Sequence, residues 1–283
     1  MHGIYLISAL LLLQDQPKPL PELKTLLTEL RKTLRTDSAL LSQYTFTEKR
    51  TTIQLDNNNK PKKTEINVFE VFPGAPDRVG YSRQIVKDGK PLSAAELEKK
   101  DREMKKKAAE DQRKLDKRTP EQIKKKTDEE DREEQRIMDD VFAGYDAEIV
   151  SRESLAGRSV ILVHFKPKPG YKAKTSEGKA MQHIAGRAWI SEDDHQIARV
   201  EMEVIEPISF GLGMLARLKK GATIQAERQK FNEEIWLPVK LDVTVDARVL
   251  LLKGFHMRQV VEYSDHKKYR VDTKLSFPDL DKP

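Results

Sequence analysis

The chain of 283 residues contains no cysteine. This absence excludes disulfide bonds, thiolate metal sites, cysteine nucleophiles and lipidation of an N-terminal cysteine. Hydrophobic residues are also scarce, at 37% of the chain, whereas charged residues reach 35%. That balance is unusual for a globular domain. It indicates that one part of the chain is much more polar than the rest.

A long hydrophobic run is missing as well. Residues 4–13 form a run of ten before Gln14 and Asp15, which is too short for a helix that spans a bilayer. Its length is typical of the apolar core of a secretory signal, although neither a preceding basic residue nor a small-x-small cleavage site accompanies it. We therefore expect a signal peptide over residues 1–16 and one domain over 17–283. A buried N-terminal strand or helix is the alternative.

Motifs for catalysis are absent from the sequence. There is no phosphate-binding glycine loop, since residues 210–214 carry only two glycines, and there is no Gly-x-Ser-x-Gly or His-Glu-x-x-His motif. The six histidines are scattered, and His195, beside Asp193 and Asp194, has no second histidine at ligand spacing. We predict no catalytic residue, metal site or cofactor. An enzyme assembled from distant residues stays open.

The charge is concentrated in residues 93–140, which contain 15 Lys or Arg and 16 Asp or Glu. Two capping boxes, Ser93 to Glu96 and Thr119 to Gln122, predict the starts of two helices. Oppositely charged residues four apart, such as Glu96 and Lys100, support the first helix. Because they offer almost no apolar face, we predict a solvated helical hairpin inserted at 93–143. It is either simply solvated or a docking element for an envelope protein partner.

The remaining chain is dominated by alternation. From Ala198 to Val204 apolar and charged residues alternate strictly after a polar turn, which predicts a strand with one buried and one wet face. The same pattern recurs over 237–249 and 255–264. We predict a mostly β (α+β) fold of about nine to eleven antiparallel strands. The segment 207–220 is predicted as a loop or short helix.

One amphipathic helix precedes the strands. After the proline-rich residues 17–21, leucines recur at spacings of three and four, at Leu20, Leu23, Leu27, Leu30 and Leu34. This spacing predicts a helix with a narrow apolar stripe. We expect the stripe to dock on the sheet.

Several motifs, taken in order, resemble one family. They are Tyr44-x-Phe46-x-Glu48, then Gly157-Arg158 before residues 160–168, Gly186-Arg187-Ala188-Trp189-Ile190, Ile235-Trp236-Leu237-Pro238 and the stretch 261–265. The order resembles outer-membrane lipoprotein-sorting proteins of the LolA/LolB superfamily and the MucB/RseB N-terminal domain. The resemblance covers roughly 20–92 and 146–275, with the charged hairpin outside it. It implies a curved, incomplete antiparallel β-barrel covered by helices, and a carrier in the periplasm.

The resemblance also implies an apolar cavity for a lipid or for the acyl chain of a lipoprotein. Its predicted lining is Leu23, Leu27, Leu30, Phe46, Val68, Val200, Met202, Val204, Val243, Val245 and Tyr263. A basic surface, with Arg217, Lys219 and Lys220 beside apolar residues, fits either peripheral contact with lipid headgroups or a solvated loop. No motif indicates nucleic-acid binding. The alternative is a structural or sensing module with a filled core that acts through protein contacts.

Overall fold

The computed structural model describes residues 18–34, 40–56, 58–74, 80–210, 216–249 and 254–268. The predicted signal peptide therefore lies outside the described residues. One antiparallel sheet of thirteen strands forms the framework. The strands are β1 Tyr44–Leu55, β2 Pro61–Phe72, β3 Tyr81–Lys87, β4 Lys90–Pro91, β5 Tyr145–Leu155, β6 Arg158–Pro167, β7 Ile184–Ser191, β8 Ile197–Val204, β9 Ile208–Phe210, β10 Ala216–Leu218, β11 Thr223–Phe231, β12 Ile235–Val249 and β13 Phe255–Lys268.

The sheet is open. Its order is β4-β3-β2-β1-β13-β12-β11-β8-β7-β6-β5, with the β9–β10 ribbon attached to β12. Strands β4 and β5 do not pair with each other, so the barrel is incomplete, as predicted. The register shifts within six of the strand pairs, and such bulges bend and twist a sheet. The strand count exceeds the prediction because β4, β9 and β10 are only two or three residues long.

The described helices are α1 Leu23–Thr33, α2 Ala94–Asp116, α3 Pro120–Gly144 and α4 Ser176–Met181. The charged hairpin of α2 and α3 is confirmed, including both capping boxes: the backbone N–H of Ser93 donates to Glu96 at 2.8 Å, and that of Thr119 donates to Gln122 at 2.9 Å. The short helix α4 was not predicted from the sequence. Its N-cap is Thr175, whose hydroxyl accepts from the Gly178 N–H.

The prediction for residues 207–220 was wrong. Instead of a loop or short helix, its described ends form the strands β9 and β10, which pair through Ile208 with Leu218 and Ser209 with Arg217. The segment folds back on the sheet because Ile208 and Leu218 pack with Ile184, Val204 and Ala222. Residues 211–215 lie outside the described residues.

Paired residues in the ladders divide the sheet into two faces. A row across eight strands runs through Arg50, Val261, Leu241, Ala226, Val200, Ala188, Val163 and Ile149. Helix α1 packs on Val163, Val200 and Ala188 of this row, so we call this side the helix face. The other side, which carries Lys49, Glu262, Lys240 and Glu227, is the outer face.

The main core lies between α1 and strands β5–β8. Leu26 and Leu30 are 2% and 6% exposed and pack on Ile161, Val163, Ala188 and Ile190. The predicted leucine stripe was displaced: the helix begins at Leu23, Leu20 is 46% exposed before it, and Leu26 is the most buried leucine. Residues four apart lie on one side of a helix. Leu26 and Leu30 therefore occupy the centre, with Leu23 and Leu27 on its flanks.

Candidate functional site

The part of the predicted site beneath α1 is filled by the protein itself. Leu23 and Leu27 are half-buried at the edge of the core that Leu30 completes, and Val200 packs against the same core from the sheet. Val204 is buried in a neighbouring cluster, with Met202 packed against it. This half of the helix face is a packed core.

The same face continues onto β11, β12 and β13, where it is only half-covered. We call the apolar side chains there the open strip: Ile224, Val243, Val245, Met257 and Phe255. Ile224 pairs with Val243, and Val245 pairs with Met257. Phe255, at the end, is 42% exposed, and the other four are half-buried. None of the four core clusters found among the described residues includes them.

The open strip joins the filled half directly. Met202 of β8 pairs with Ile224 of β11, and Met202 also touches the cluster around Val204. On the other side the strip ends at polar residues, because Val243 pairs with Gln259, whose amide donates to Thr52 at 3.3 Å. The strip is therefore an apolar band with a packed core on one side and a polar wall on the other.

Two predicted residues lie in an aromatic cluster beyond that wall. The rings of Phe46 and Tyr263 meet edge to face at 5.6 Å, and the His266 ring lies 5.7 Å from Phe46. Burial raises the pKa of Tyr263 and lowers the pKa of His266. His266 also contacts the carbonyl oxygen of Pro238 at 3.0 Å. These contacts are those of a structural cluster.

Val68 lies apart from the other predicted residues. It pairs with Lys49, which pairs with Glu262, and Glu262 pairs with Lys240. This register places the Val68 side chain on the outer face, whereas Val243 and Val245 lie on the helix face. Val68 therefore does not line the same surface as Val243 and Val245. Alternation within β2 separates its residues into two faces, but it does not show which of these faces is the helix face.

A cavity of about 720 Å³ is lined by charged and polar side chains together with apolar ones such as Phe165, Met202 and Ile205. Its charged lining comes from the outer face, where Arg187 donates to Glu201 at 2.7 Å and Arg199 pairs with the same carboxylate. His164 and Lys166 also line it. Met202 is the one predicted site residue that lies along this cavity. The paired charges do not form a nucleophile and base.

The acidic turn at His195 is structural. Asp194 accepts from the Trp236 indole N–H at 2.8 Å and pairs with Lys230 at 2.7 Å. Burial opposes ionisation of Asp194, but these hydrogen bonds outweigh it and hold its pKa at about 2. The His195 carbonyl accepts from Thr33 at the end of α1. Within the described ranges no group of three His, Asp or Glu side chains is placed to hold a metal ion.

The alternation over 255–264 places Phe255 and Met257 on one side of β13, but the predicted lining contains neither of them, nor Ile224. The alternation of β11 is interrupted by charged residues, so it gave only a weak indication. The ladder partners of Val243 and Val245 identify all three.

Comparisons with known proteins found similar structures at low identity. A domain described as an outer membrane lipoprotein-sorting protein from Vibrio parahaemolyticus is 9% identical, with 89% of this chain and 93% of that chain covered and a TM-score of 0.33. A LolA superfamily protein from Nitrosomonas europaea is 9% identical, covers 88% and 94%, and has a TM-score of 0.32. A chain of the MucA/MucB complex of Pseudomonas aeruginosa is 9% identical, covers 87% and 98%, and has a TM-score of 0.22.

These structures belong to the groups that the sequence motifs resemble. No family model and no curated protein matches the chain. Among the described helices, none has the length and apolarity needed to cross a bilayer.

Proposed function

We propose that this protein is a non-catalytic binding protein or carrier of the bacterial periplasm, and that its ligand is an acyl chain of a lipid or of an acylated protein. The observation that carries the proposal is the open strip. Its five apolar side chains lie on one face in ladder register, yet they remain half-exposed beside a fully packed core. A contiguous apolar surface left open in this way is typical of a binding site.

The strip suits a linear apolar ligand. It follows β12 from Val243 to Ala247, so at about 3.3 Å per residue it is roughly 13 Å long. Each methylene that it removes from water contributes about 0.8 kcal/mol. The polar wall at Gln259 and Thr52 would confine the chain to the strip. No chemistry is required of the site, and the paired charges of the outer-face cavity supply none.

The proposal is tested with a fluorescent fatty acid titrated into delipidated protein. The double variant V243S/V245S removes four methyl groups from the strip. The matched control V68S/V260S makes the same change on the outer face, because Val260 pairs with Asp242 on that side and is half-buried like the others. We expect V243S/V245S to weaken binding at least tenfold, since about 0.8 kcal/mol per lost methyl accumulates over four groups. The control should bind as the unaltered protein does.

Native mass spectrometry of the purified protein provides the second measurement. A lipid-sized adduct that is present in the unaltered protein and lost in V243S/V245S supports the proposal. Equal fatty-acid binding by both double variants, with no adduct in the unaltered protein, contradicts it.

The alternative function is a structural or sensing module that acts through protein contacts. It is favoured by the contact between the charged hairpin and the cover helix, since Arg31 of α1 pairs with Asp139 of α3 and Phe142 packs on the α1 core. A partner on the hairpin would thus act on α1 directly. Absence of acyl binding would leave this alternative as the better account.

A further inference from the structure

The two ends of the sheet differ in how their charges are paired. One end gathers the end of β6, the start of β7, the end of β8, the start of β11, the end of β12 and the start of β13, because successive ladders pair these positions. Residues 166–183, which connect β6 to β7 at this end, contain five lysines and one acidic residue. The β10 side adds Arg217, Lys219 and Lys220. We call this end the basic rim.

Most of these cations are unpaired. Lys166, Lys168, Lys172, Lys174 and Lys179 are exposed, and none has a carboxylate within 4 Å in the part of the chain that the structure describes. Arg217 and Lys220 are exposed in the same way, whereas Lys219 pairs with Asp246 at 2.9 Å. An array of unpaired lysines is costly to hold together unless it meets an anionic partner.

At the opposite end the charges are paired. Glu192 binds Arg152, Asp194 binds Lys230, and Glu234 binds Lys268. The charged hairpin is also neutralised internally through pairs such as Glu98 with Arg102. Unpaired positive charge among the described residues is therefore concentrated at the basic rim, which orients the protein toward an anionic surface.

The lysine loop is held in a fixed position. Asp140 of α3 is 3% exposed and accepts hydrogen bonds from the Tyr171 hydroxyl at 2.9 Å, from the Lys174 N–H at 2.9 Å and from the Thr175 hydroxyl at 2.6 Å. The hydrogen bonds from Thr175, Lys174 and Tyr171 hold the pKa of this carboxyl far below its usual range. The backbone N–H of Lys168 donates to the Gly144 carbonyl at 2.8 Å. The loop thus presents its lysines from a rigid base.

The open strip leads to the same end. Along β12 it runs from Val243 through Val245 to Ala247, and its last member, Phe255, is exposed at the start of β13. An apolar band that reaches a rim of unpaired lysines has the polarity order of a lipid monolayer, with anionic headgroups outside and acyl chains inside.

We infer that the basic rim is the docking surface for an anionic phospholipid bilayer, and that it places the mouth of the open strip against the membrane. The placement of the strip's mouth against the membrane deepens the proposed function and rests on it. The docking surface itself does not depend on that function. The lysines are dispersed point charges on loops rather than a bidentate arginine pocket, which suits a fluid layer of headgroups better than one defined anion. Docking is peripheral and weakens with salt.

The test measures cosedimentation with vesicles of phosphatidylglycerol and phosphatidylethanolamine, compared with phosphatidylcholine vesicles, at low and high salt. The variant K168Q/K172Q/K179Q neutralises three rim lysines. The matched control K106Q/K117Q/K124Q removes the same charge from exposed positions of the hairpin. Each lysine near the surface contributes about fivefold to partitioning, so we expect roughly a hundredfold loss for the rim variant and little change for the control.

Equal losses in both variants, or no preference for anionic vesicles, would overturn the inference. So would rim-dependent binding to a DNA duplex without vesicle binding. The two proposals fail separately: soluble fatty-acid binding reports on the open strip in the absence of vesicles. A rim variant that binds the fatty acid normally but not the vesicles supports docking as a distinct property.

Discussion

The two halves of the helix face have the same β-pattern but different surroundings. Over β6 and β7 the aliphatic side chains Ile161, Val163, Ala188 and Ile190 meet Leu26 and Leu30 of α1 and are almost completely buried, whereas Ile149 and Val200 at the edges of this core are partly buried. Over β11–β13 the open strip, including Val243 and Val245, remains half-exposed, although Val261 and Ala247 on the same face are buried. A helix of eleven residues is only about 16 Å long, at 1.5 Å per residue. One such helix covers about half of this sheet, and the uncovered half becomes available for a ligand.

The charged hairpin shows that the chain has enough helical residues to cover the open strip but does not use them there. Helices α2 and α3 together span more residues than α1 and α4, yet they project from the β4–β5 connection. Their apolar content is too low to cover the strip. Arg83 of β3 donates to Asp101 of α2 at 2.7 and 2.9 Å and fixes the hairpin at the sheet edge instead.

The largest contrast between the halves should appear when a side chain is truncated. Leu26→Ala leaves a cavity in the filled half and should lower the free energy of unfolding by about 2–5 kcal/mol. Val243→Ala in the open strip should cost about 1 kcal/mol, because its side chain is only half-buried. Urea denaturation of both variants measures the difference. Equal losses would show that the open strip is packed as tightly as the core.

The backbone should also be packed more tightly in the half that α1 covers than beside the open strip. A Cβ atom at Gly186 would lie 2.1 Å from the Glu201 carbonyl oxygen and 2.8 Å from Phe165, whereas at Gly254 it would lie 3.4 Å from the nearest atom. Gly186→Ala should therefore destabilise the protein by about 1–3 kcal/mol. Gly254→Ala, beside the open strip, should change stability by less than about 0.5 kcal/mol. Thermal unfolding of the pair decides whether the tight packing is confined to the covered half.

Acid should destabilise the half of the helix face that α1 covers. Arg152 donates to Glu192 at 2.7 and 2.8 Å and to the Pro19 carbonyl just before α1. The hydrogen bonds from Arg152 hold the pKa of Glu192 at about 2. Because this pKa is lowered by folding, its stabilisation is present above about pH 4.5 and is lost as the pH falls through 2.

Glu192→Gln should therefore be less stable than the unaltered protein at pH 7, with the gap closing between pH 4.5 and 2. Urea titrations at several pH values measure the gap. A gap that stays constant down to pH 3 would contradict the role of the carboxylate charge.

The smallest effect on stability should come from the end of the open strip. Phe255 is 42% exposed, so Phe255→Ser should change the free energy of unfolding by less than about 0.5 kcal/mol. Fatty-acid binding should nevertheless weaken by roughly threefold to tenfold, since an apolar contact is lost. A Phe255→Ser protein that is clearly less stable but binds the fatty acid normally would contradict this prediction.

Local rules made several features predictable. Period-two alternation identified the strands around Ala198–Val204 and over 237–249, and the capping boxes at Ser93 and Thr119 located both hairpin helices. The low apolar content of residues 93–140 also indicated that they would project from the sheet. Each of these features depends on residues within a few positions of one another.

Other features depended on the packing of distant segments. Alternation assigns residues of one strand to opposite faces, but the register with β1 decided that Val68 lies on the outer face. Likewise, both faces of α1 offered leucines, and contact with Ile161 and Ile190 selected Leu26 as the centre.

The sequence by itself therefore determined an antiparallel sheet with one apolar face, a covering helix and a charged hairpin, because periodicity and capping act locally. Only the tertiary structure decided which part of the apolar face is covered and where the lysines of residues 166–183 gather. Both depend on strand order and register, and these are set by contacts between residues far apart in the chain.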